Sequence, residues 1–192
     1  MLYEMRVYDA REGKLPALND RFANHTTGFF KDHGIGIVGF WTAEIGTSNQ
    51  LTYMLSFDSM ADREEKWAAF GADPRWQEVR AETEKDGPFV DSVQNSFLRL
   101  TPYSPEPHMT TAIQEMRVYT AMPGKFPALN ERFANHTMKI FEKHGIENVG
   151  YWTADVGTSN QLTYMLGYDG LGDREEKWGA FGSDPEWHKA RA

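Results

Sequence analysis

Glu4-Met5-Arg6-Val7-Tyr8 alternates apolar with charged or polar side chains, the period of a half-buried strand, and it returns unchanged as Glu115-Met116-Arg117-Val118-Tyr119. Working outward, residues 4–81 recur as residues 115–192 without an insertion or deletion. Gly46-Thr47-Ser48-Asn49-Gln50-Leu51-Thr52-Tyr53-Met54-Leu55 returns as Gly157-Thr158-Ser159-Asn160-Gln161-Leu162-Thr163-Tyr164-Met165-Leu166. A repeat of this length is a small domain copied; solenoid units have periods of roughly 20–50 residues. The chain is therefore expected to hold two related domains.

Each copy is near the size at which one core barely stabilises itself, so two copies gain by packing together. Hydrophobic residues make up 40% of the chain and aromatics 14%, enough for a core and against disorder. The net charge of −8, without a Lys/Arg cluster, argues against a nucleic-acid partner. Zero cysteines exclude disulfides, thiolate metal sites and a cysteine nucleophile. No apolar run approaches the roughly 18 residues of a membrane span, and Met1–Tyr8 already alternates like a strand instead of reading as a signal peptide. A cytoplasmic protein is the expectation.

Within a copy, Leu2 to Tyr8 predicts strand one, with faces Tyr3/Met5/Val7 and Glu4/Arg6/Tyr8. Gly13 and Pro16 announce a helix that carries Leu15, Leu18, Phe22, Thr26, Phe29 and Phe30 at helical spacing and stops at Gly34. Ile37 to Ala43 and Leu51 to Phe57 predict a hairpin joined by a short polar link. Ser59 or Asp58 caps the next helix, on which Met60, Arg63, Trp67 and Phe70 share a face. Gly71 breaks that helix and Asp73-Pro74 restarts it. Gly87-Pro88 ends it, and Val93 to Leu100 predicts strand four. The order β-α-β-β-α-β is the ferredoxin-like unit. Pro102, Pro105 and Pro107 mark an extended linker. The expected division is a first domain over 1–101, a linker over 102–111 and a second domain over 112–192. The second copy has no counterpart of Glu82–Leu100, hence no fourth strand, and the sequence does not distinguish a truncated copy from one that does without it.

Tyr3-Glu4-Met5-Arg6-Val7-Tyr8, the Gly39–Gly46 stretch, Asn49-Gln50, Phe57-Asp58-Ser59 with Arg63, and Asp73-Pro74-Arg75-Trp76 resemble the NIPSNAP domain. The second copy carries the same set at Tyr151-Trp152-Thr153, Asn160-Gln161, Tyr168-Asp169, Arg174 and Asp184-Pro185-Glu186-Trp187. The resemblance implies the dimeric α/β-barrel superfamily, so the expected fold class is α+β, with tandem ferredoxin-like domains forming an intrachain pseudo-dimeric barrel. It does not imply an activity. Relatives in fold are similar to cofactor-free monooxygenases, haem-degrading enzymes and muconolactone isomerases, and animal members are linked to mitochondria and vesicle trafficking. The family often has a His and a Trp on strand three, where this chain has Tyr53 and Leu55.

A ferredoxin-like sheet has helices on one face only, so its other face must meet water, a partner sheet or a ligand. Tethering two copies makes that encounter intramolecular, at effective concentrations on the order of millimolar. If Met5 and Val7 pack under the helices, Glu4, Arg6, Glu115 and Arg117 point into the shared cavity. There they either orient a substrate or act as structural ion pairs. Trp41 and Trp152 are the aromatic candidates for a ligand wall, or plain core, because alternation puts Phe40 and Trp41 on opposite faces without saying which is inside. His25, His136, Tyr53 and Tyr164 are the candidates for proton transfer, against packed and hydrogen-bonded structural roles. His33 and His144 read as positive groups at helix C-termini. No metal-ligand spacing exists, and no cofactor is expected. The function best fitted is a small-molecule binder of undefined biochemical role. An interaction scaffold and a cofactor-free monooxygenase- or isomerase-like enzyme are the alternatives. Homo-oligomers stay open.

Overall fold

A computed structural model describes residues 1–191, in two compact units that divide between Leu98 and Arg99. In the first unit β1 (Leu2–Ala10) leads into α1 (Leu15–Arg21), a π-helical turn over Phe22–Thr26, and α2 (Thr27–Asp32). Then follow β2 (Gly36–Trp41), β3 (Gln50–Phe57), α3 (Met60–Ala72), α4 (Pro74–Thr83) and β4 (Val90–Leu100). The strands run in the order β2-β3-β1-β4, and each neighbouring pair is antiparallel. This is the ferredoxin-like order, and the fold is α+β.

The elements begin and end for local reasons. Ser59 caps α3 by accepting the Asp62 N–H, and Asp73 caps α4 by accepting the Arg75 N–H with Pro74 behind it. Gly34, at φ 67°, supplies the left-handed residue that stops α2. Asn49 also adopts a left-handed φ, which asparagine tolerates, and its side-chain amide donates to the Ala10 carbonyl, fastening the β2–β3 link to the end of β1.

One helical expectation is corrected. The first helix is not one continuous α-helix. The Thr27 N–H reaches the Phe22 carbonyl five residues back, and the Thr26 hydroxyl donates to the Arg21 carbonyl at 3.3 Å. The extra residue keeps Phe22, Thr26 and Phe30 all buried, although they are spaced four and four. The same turn forms at Phe133–Thr137, where the sequence is identical.

The second unit contains β5 (Ile113–Thr120), α5 (Phe126–Arg132), the second π turn, α6 (Met138–Lys143), β6 (Glu147–Val156), β7 (Gln161–Tyr168), α7 (Leu171–Ser183) and α8 (Pro185–Arg191). β5 pairs antiparallel with β7 and β7 with β6. Among the described residues β5 is the last strand of this sheet. Segment 101–104 runs along β6, where the Thr101 N–H bonds the Tyr151 carbonyl and the Tyr151 N–H bonds Ser104 Oγ. No helix of the described residues is long and apolar enough to cross a membrane.

The core of each unit lies between sheet and helices. In the first, Leu2, Leu51, Tyr53, Leu55 and Phe57 pack against Leu18, Phe22, Phe30 and Phe70. In the second, Tyr151, Leu162, Tyr164, Leu166 and Tyr168 meet Phe133, Ile140, Phe141 and Phe181.

Candidate functional site

Strand alternation decides where every sequence candidate points. Leu2 and Ala10 belong to the core under the helices, so Glu4, Arg6 and Tyr8, which share their parity, face the helices too. The condition under which Glu4, Arg6, Glu115 and Arg117 would lie on the helix-free face is therefore not met. Met5 and Val7 hold that face.

On the helix side Glu4 is fully buried and its carboxylate accepts four bonds. Arg6 Nη1 donates to Oε1 at 2.6 Å and Arg63 Nη2 to the same oxygen at 2.9 Å. Arg63 Nε and Trp67 Nε1 each donate to Oε2 at 3.0 Å. Arg6 continues the network, donating through Nε to the Tyr53 hydroxyl at 2.8 Å and through Nη2 to the Tyr8 hydroxyl at 3.2 Å. The Tyr53 hydroxyl donates onward to Tyr8 at 2.8 Å. The Arg6 guanidinium lies 4.7 Å from the centre of the Trp67 ring. Burial pushes the Glu4 carboxyl up, but the bond from Arg63 and the charge of Arg6 outweigh it and hold the group below its ordinary value. Burial drives the Tyr53 hydroxyl well above its ordinary value.

The second unit rebuilds this network with Glu115, Arg117, Arg174, Tyr119 and Tyr164. Arg117 Nη1 meets Glu115 Oε1 at 2.7 Å, and Arg174 grips both carboxylate oxygens at 2.9 and 3.1 Å. Arg117 Nε donates to Tyr164 at 2.8 Å. Burial raises Tyr164 as it does Tyr53. The carboxylate is less enclosed here, with a side-chain exposure of 24% against 0% for Glu4.

Arg63, Trp67 and Tyr8 are members that sequence reasoning did not assign to the site. A signal for the first two existed: they stand four apart on α3 and so reach the same strand residue.

Trp41 and Trp152 lie on the opposite face. Phe40 faces the helices beside Tyr53, stacked at 5.6 Å, which turns Trp41 the other way, opposite Thr52, which itself pairs with Val7; Gly39, Met54 and Met5 make the next row on that face. Trp152 takes the matching position opposite Thr163 and is buried. Its ring occupies the space a side chain on Gly150 would need, since a Cβ there would come 2.4 Å from the indole.

His25 and His136 are exposed on the π turns. Because Phe22, Thr26 and Phe30 take the buried positions, the residues between them turn outward, and neither histidine joins the tyrosines. The packed, hydrogen-bonded role weighed for them is replaced by a solvent-facing one. His33 and His144 close their helices as expected and also bond the caps of the last helices, with Nε2 meeting Asp73 at 3.0 Å and Asp184 at 2.7 Å. Among the described residues no group of three or more His, Asp or Glu side chains could hold a metal ion.

A polar cleft of about 670 Å³ lies in the second unit between segment 103–111 and the start of β6. Glu147 anchors it, accepting from the Thr110 N–H at 2.9 Å, the Thr110 hydroxyl at 2.6 Å and the Thr111 hydroxyl at 2.5 Å. The first copy has Gly36 at this position.

The NIPSNAP family profile matches residues 3–105 and 114–192. A protein named NipSnap homolog from Dictyostelium discoideum is 23% identical over 181 residues, covering 90% of this chain and 72% of its own length. The crystal structure of protein Atu4242 from Agrobacterium tumefaciens is 30% identical, covers 55% of this chain and 98% of its own, and superposes with a TM-score of 0.50. A Fusobacterium nucleatum protein, proposed by its description to be a monooxygenase, matches 98% of this chain and 82% of its own at 10% identity and a TM-score of 0.59. At that identity the likeness shows the fold alone.

Proposed function

The chain belongs to the NIPSNAP family, and from that premise we propose that it binds a small, flat, weakly charged molecule on a helix-free strand face, with Trp41 as the stacking residue. The observation that carries this reading is the partition of side chains by strand alternation. Glu4, Arg6 and Tyr53 are consumed by one another on the helix side, where four donors occupy the Glu4 carboxylate. The other face presents a partly exposed Trp41 in register with Thr52 and Val7, with Gly39, Met54 and Met5 forming the next row on that face. An indole with two thioethers in the neighbouring row suits an aromatic or polyunsaturated ligand, with Thr52 as the nearby hydrogen-bonding group.

The proton-transfer role weighed for Tyr53 and Tyr164 finds no support, because burial pushes both hydroxyls away from neutral pH. His25 and His136 lie on exposed turns, away from Trp41 by strand and helix placement. Binding without catalysis is the reading, and the monooxygenase description of the fold relative stays with that protein.

The test is native mass spectrometry of the purified chain, followed by titration of whatever co-purifies into the wild type and into Trp41→Ala. The expected result is a bound small molecule whose affinity falls at least tenfold in the variant while the melting temperature holds. Undiminished binding by Trp41→Ala would sink the assignment. A scaffold role is the second reading. It is favoured by the saturation of every charged group in the Glu4 network, and it predicts that nothing co-purifies.

A further inference from the structure

Building on the stacking role given to Trp41, on which the following rests, we propose the chemical class of the ligand: a flat aromatic or heteroaromatic ring with one ammonium or amidinium group on a short arm, the charge being received by Asp9. Asp9 lies on the Trp41 face by strand register. Trp41 stands opposite Thr52, Thr52 opposite Val7, and Asp9 is the second residue after Val7 on β1, so its side chain leaves the sheet on the same side. Ala10, the next residue, is in the core under the helices, as alternation requires. Trp41 and Asp9 are thus two strands across and one row along from each other, about 12 Å between Cα atoms at ordinary strand spacings. A ring lying on the indole, with a short arm, spans that gap.

What sets Asp9 apart is the kind of partner it has. Gln50, opposite it on β3, donates through Nε2 to Oδ1 at 2.6 Å, and Ser92, opposite it on β4, donates its hydroxyl to Oδ2. Both donors are neutral. The bond from Ser92 and then that from Gln50 hold the carboxyl below its ordinary value, so it is ionised at neutral pH. Among the described residues no lysine, arginine or histidine pairs with it, and Arg11, two residues on, is taken by Asp91 at 2.9 Å. Glu4, Asp62, Asp73 and Glu84 each meet a cation in the same unit. Asp9 is a half-buried anion without a counter-ion, and each of its oxygens keeps a lone pair. Donors from the strands on both sides fix its rotamer, so a ligand meets it already oriented. An anion would be repelled here. A ligand cation gains the attraction of Asp9 and, close to the indole face, that of the ring.

The second copy differs at both points. Thr120 stands at the position of Asp9, and its hydroxyl takes the bond from Gln161 at 3.1 Å. Trp152 is buried, whereas Trp41 is half-buried. The carboxylate and the accessible indole occur together in one copy and are missing together from the other, the pattern expected of a ligand site confined to the first unit.

The test titrates three probes of one shape, naphthylethylamine, naphthylethanol and naphthylacetate, into the full chain by calorimetry. The expected result is that the amine binds about fivefold tighter than the alcohol, the upper range for an exposed ion pair, with the acetate weakest. That preference should shrink as salt is added. Asp9→Asn and Asp9→Thr should each bring amine and alcohol within about twofold of each other without lowering the melting temperature. The second variant copies the residue that already serves at position 120, which keeps the test meaningful if the first misfolds. Trp41→Ala should weaken both probes. Equal binding of amine and alcohol by the wild type, or a preference that survives both Asp9 variants, would overturn the proposal, while loss of both probes in Trp41→Ala would still support the stacking role. If no probe binds, or Trp41→Ala changes nothing, the stacking role falls and the ligand class falls with it.

Discussion

Glu4 and Glu115 each bind the same pair of arginines in nearly the same geometry, yet one carboxylate is sealed and the other is not. Arg63 and Arg174 approach their carboxylates at the same 2.9 Å. The difference is in the surroundings. Glu4 has Phe97 opposite it on β4 and the Trp67 indole as a fourth donor, and Glu115 is held by two arginines. The comparison separates what a buried ion network owes to its own bonds from what it owes to enclosure. Equal distances do not mean equal energies, because water screens the open pair and not the closed one.

The largest effect should come from removing each carboxylate in turn. Glu4→Ala leaves Arg6 and Arg63, only 12% and 21% exposed, without their counter-ion, a loss of about 3 kcal/mol, the lower end of the cost of breaking a buried pair. Glu115→Ala leaves its arginines partly hydrated and should cost about 1 kcal/mol. Urea unfolding followed by tryptophan fluorescence gives both numbers. Equal costs would mean that the enclosure by β4 contributes nothing. Acid sharpens the same contrast. The folded pKa of Glu4 lies below its unfolded value, so its contribution is fully present above the ordinary glutamate range of about 4.3 and is lost as pH falls through the lowered folded value. Acid unfolding of the wild type should therefore begin below about pH 4.3, and Glu4→Gln should flatten that limb. An unchanged acid limb in the variant would remove Glu4 from the cause.

A second difference is reciprocal. At one cross-strand position the first copy has Gly36 opposite Ser56, and the second has Glu147 opposite Gly167. A Cβ on Gly36 would lie 2.2 Å from the Ser56 hydroxyl and 3.0 Å from its carbonyl oxygen. A Cβ on Gly167 would lie 2.1 Å from both Glu147 Oε2 and Thr111 Oγ1. Each pair keeps one glycine so that the other residue fits, and in the second copy the freed space receives the Glu147–Thr110–Thr111 bonds. Gly36→Ala and Gly167→Ala should each cost about 1–3 kcal/mol, by overpacking. Ser56→Gly should rescue Gly36→Ala at least in part in a double-mutant cycle. Additive costs in that cycle would show that the two positions do not share the space.

Much of this was legible in the sequence, and the rest was hidden for identifiable reasons. The repeat, the order of elements, the caps at Ser59 and Asp73 and the stop at Gly34 are local signals, carried by adjacent residues. Which face of β1 meets the helices is not local. Alternation separates Glu4/Arg6 from Met5/Val7 without choosing, and the charged pair looks like the wetter one. The choice is made by Arg63 and Trp67, far along the chain, whose donors make burial of Glu4 tolerable. The same choice carried Trp41 to the other face. The π turn was hidden because Phe22, Thr26 and Phe30 at spacings of four fit an ordinary apolar stripe. The same turn carries His25 outward. The Gly36/Ser56 exchange is visible as two substitutions but acquires meaning only when the register sets them opposite each other.

The smallest difference is at one helix N-terminus, and it isolates a single hydrogen bond. α3 begins after Ser59, whose hydroxyl accepts the Asp62 N–H at 3.2 Å, and α7 begins after Gly170, which offers no side chain. The backbones agree: Ser59 is extended at φ −156°, ψ 177°, and Gly170 at φ 178°, ψ 176°, a conformation open to any residue. A Cβ on Gly170 meets nothing within 4 Å. The next first-turn acid is present in both, as Asp62 and Asp173, each accepting the N–H of Asp58 or Asp169 at 3.0 Å. Gly170→Ser should therefore add the missing bond without strain and stabilise the chain by a few tenths of a kcal/mol, about the Ser–Gly difference at an N-cap. Ser59→Gly should remove as much. Gly170→Ser should raise the urea midpoint at unchanged slope, the mark of a gain in the folded state alone. A fall in that midpoint would mean that α7 departs from its twin in the turn before the cap.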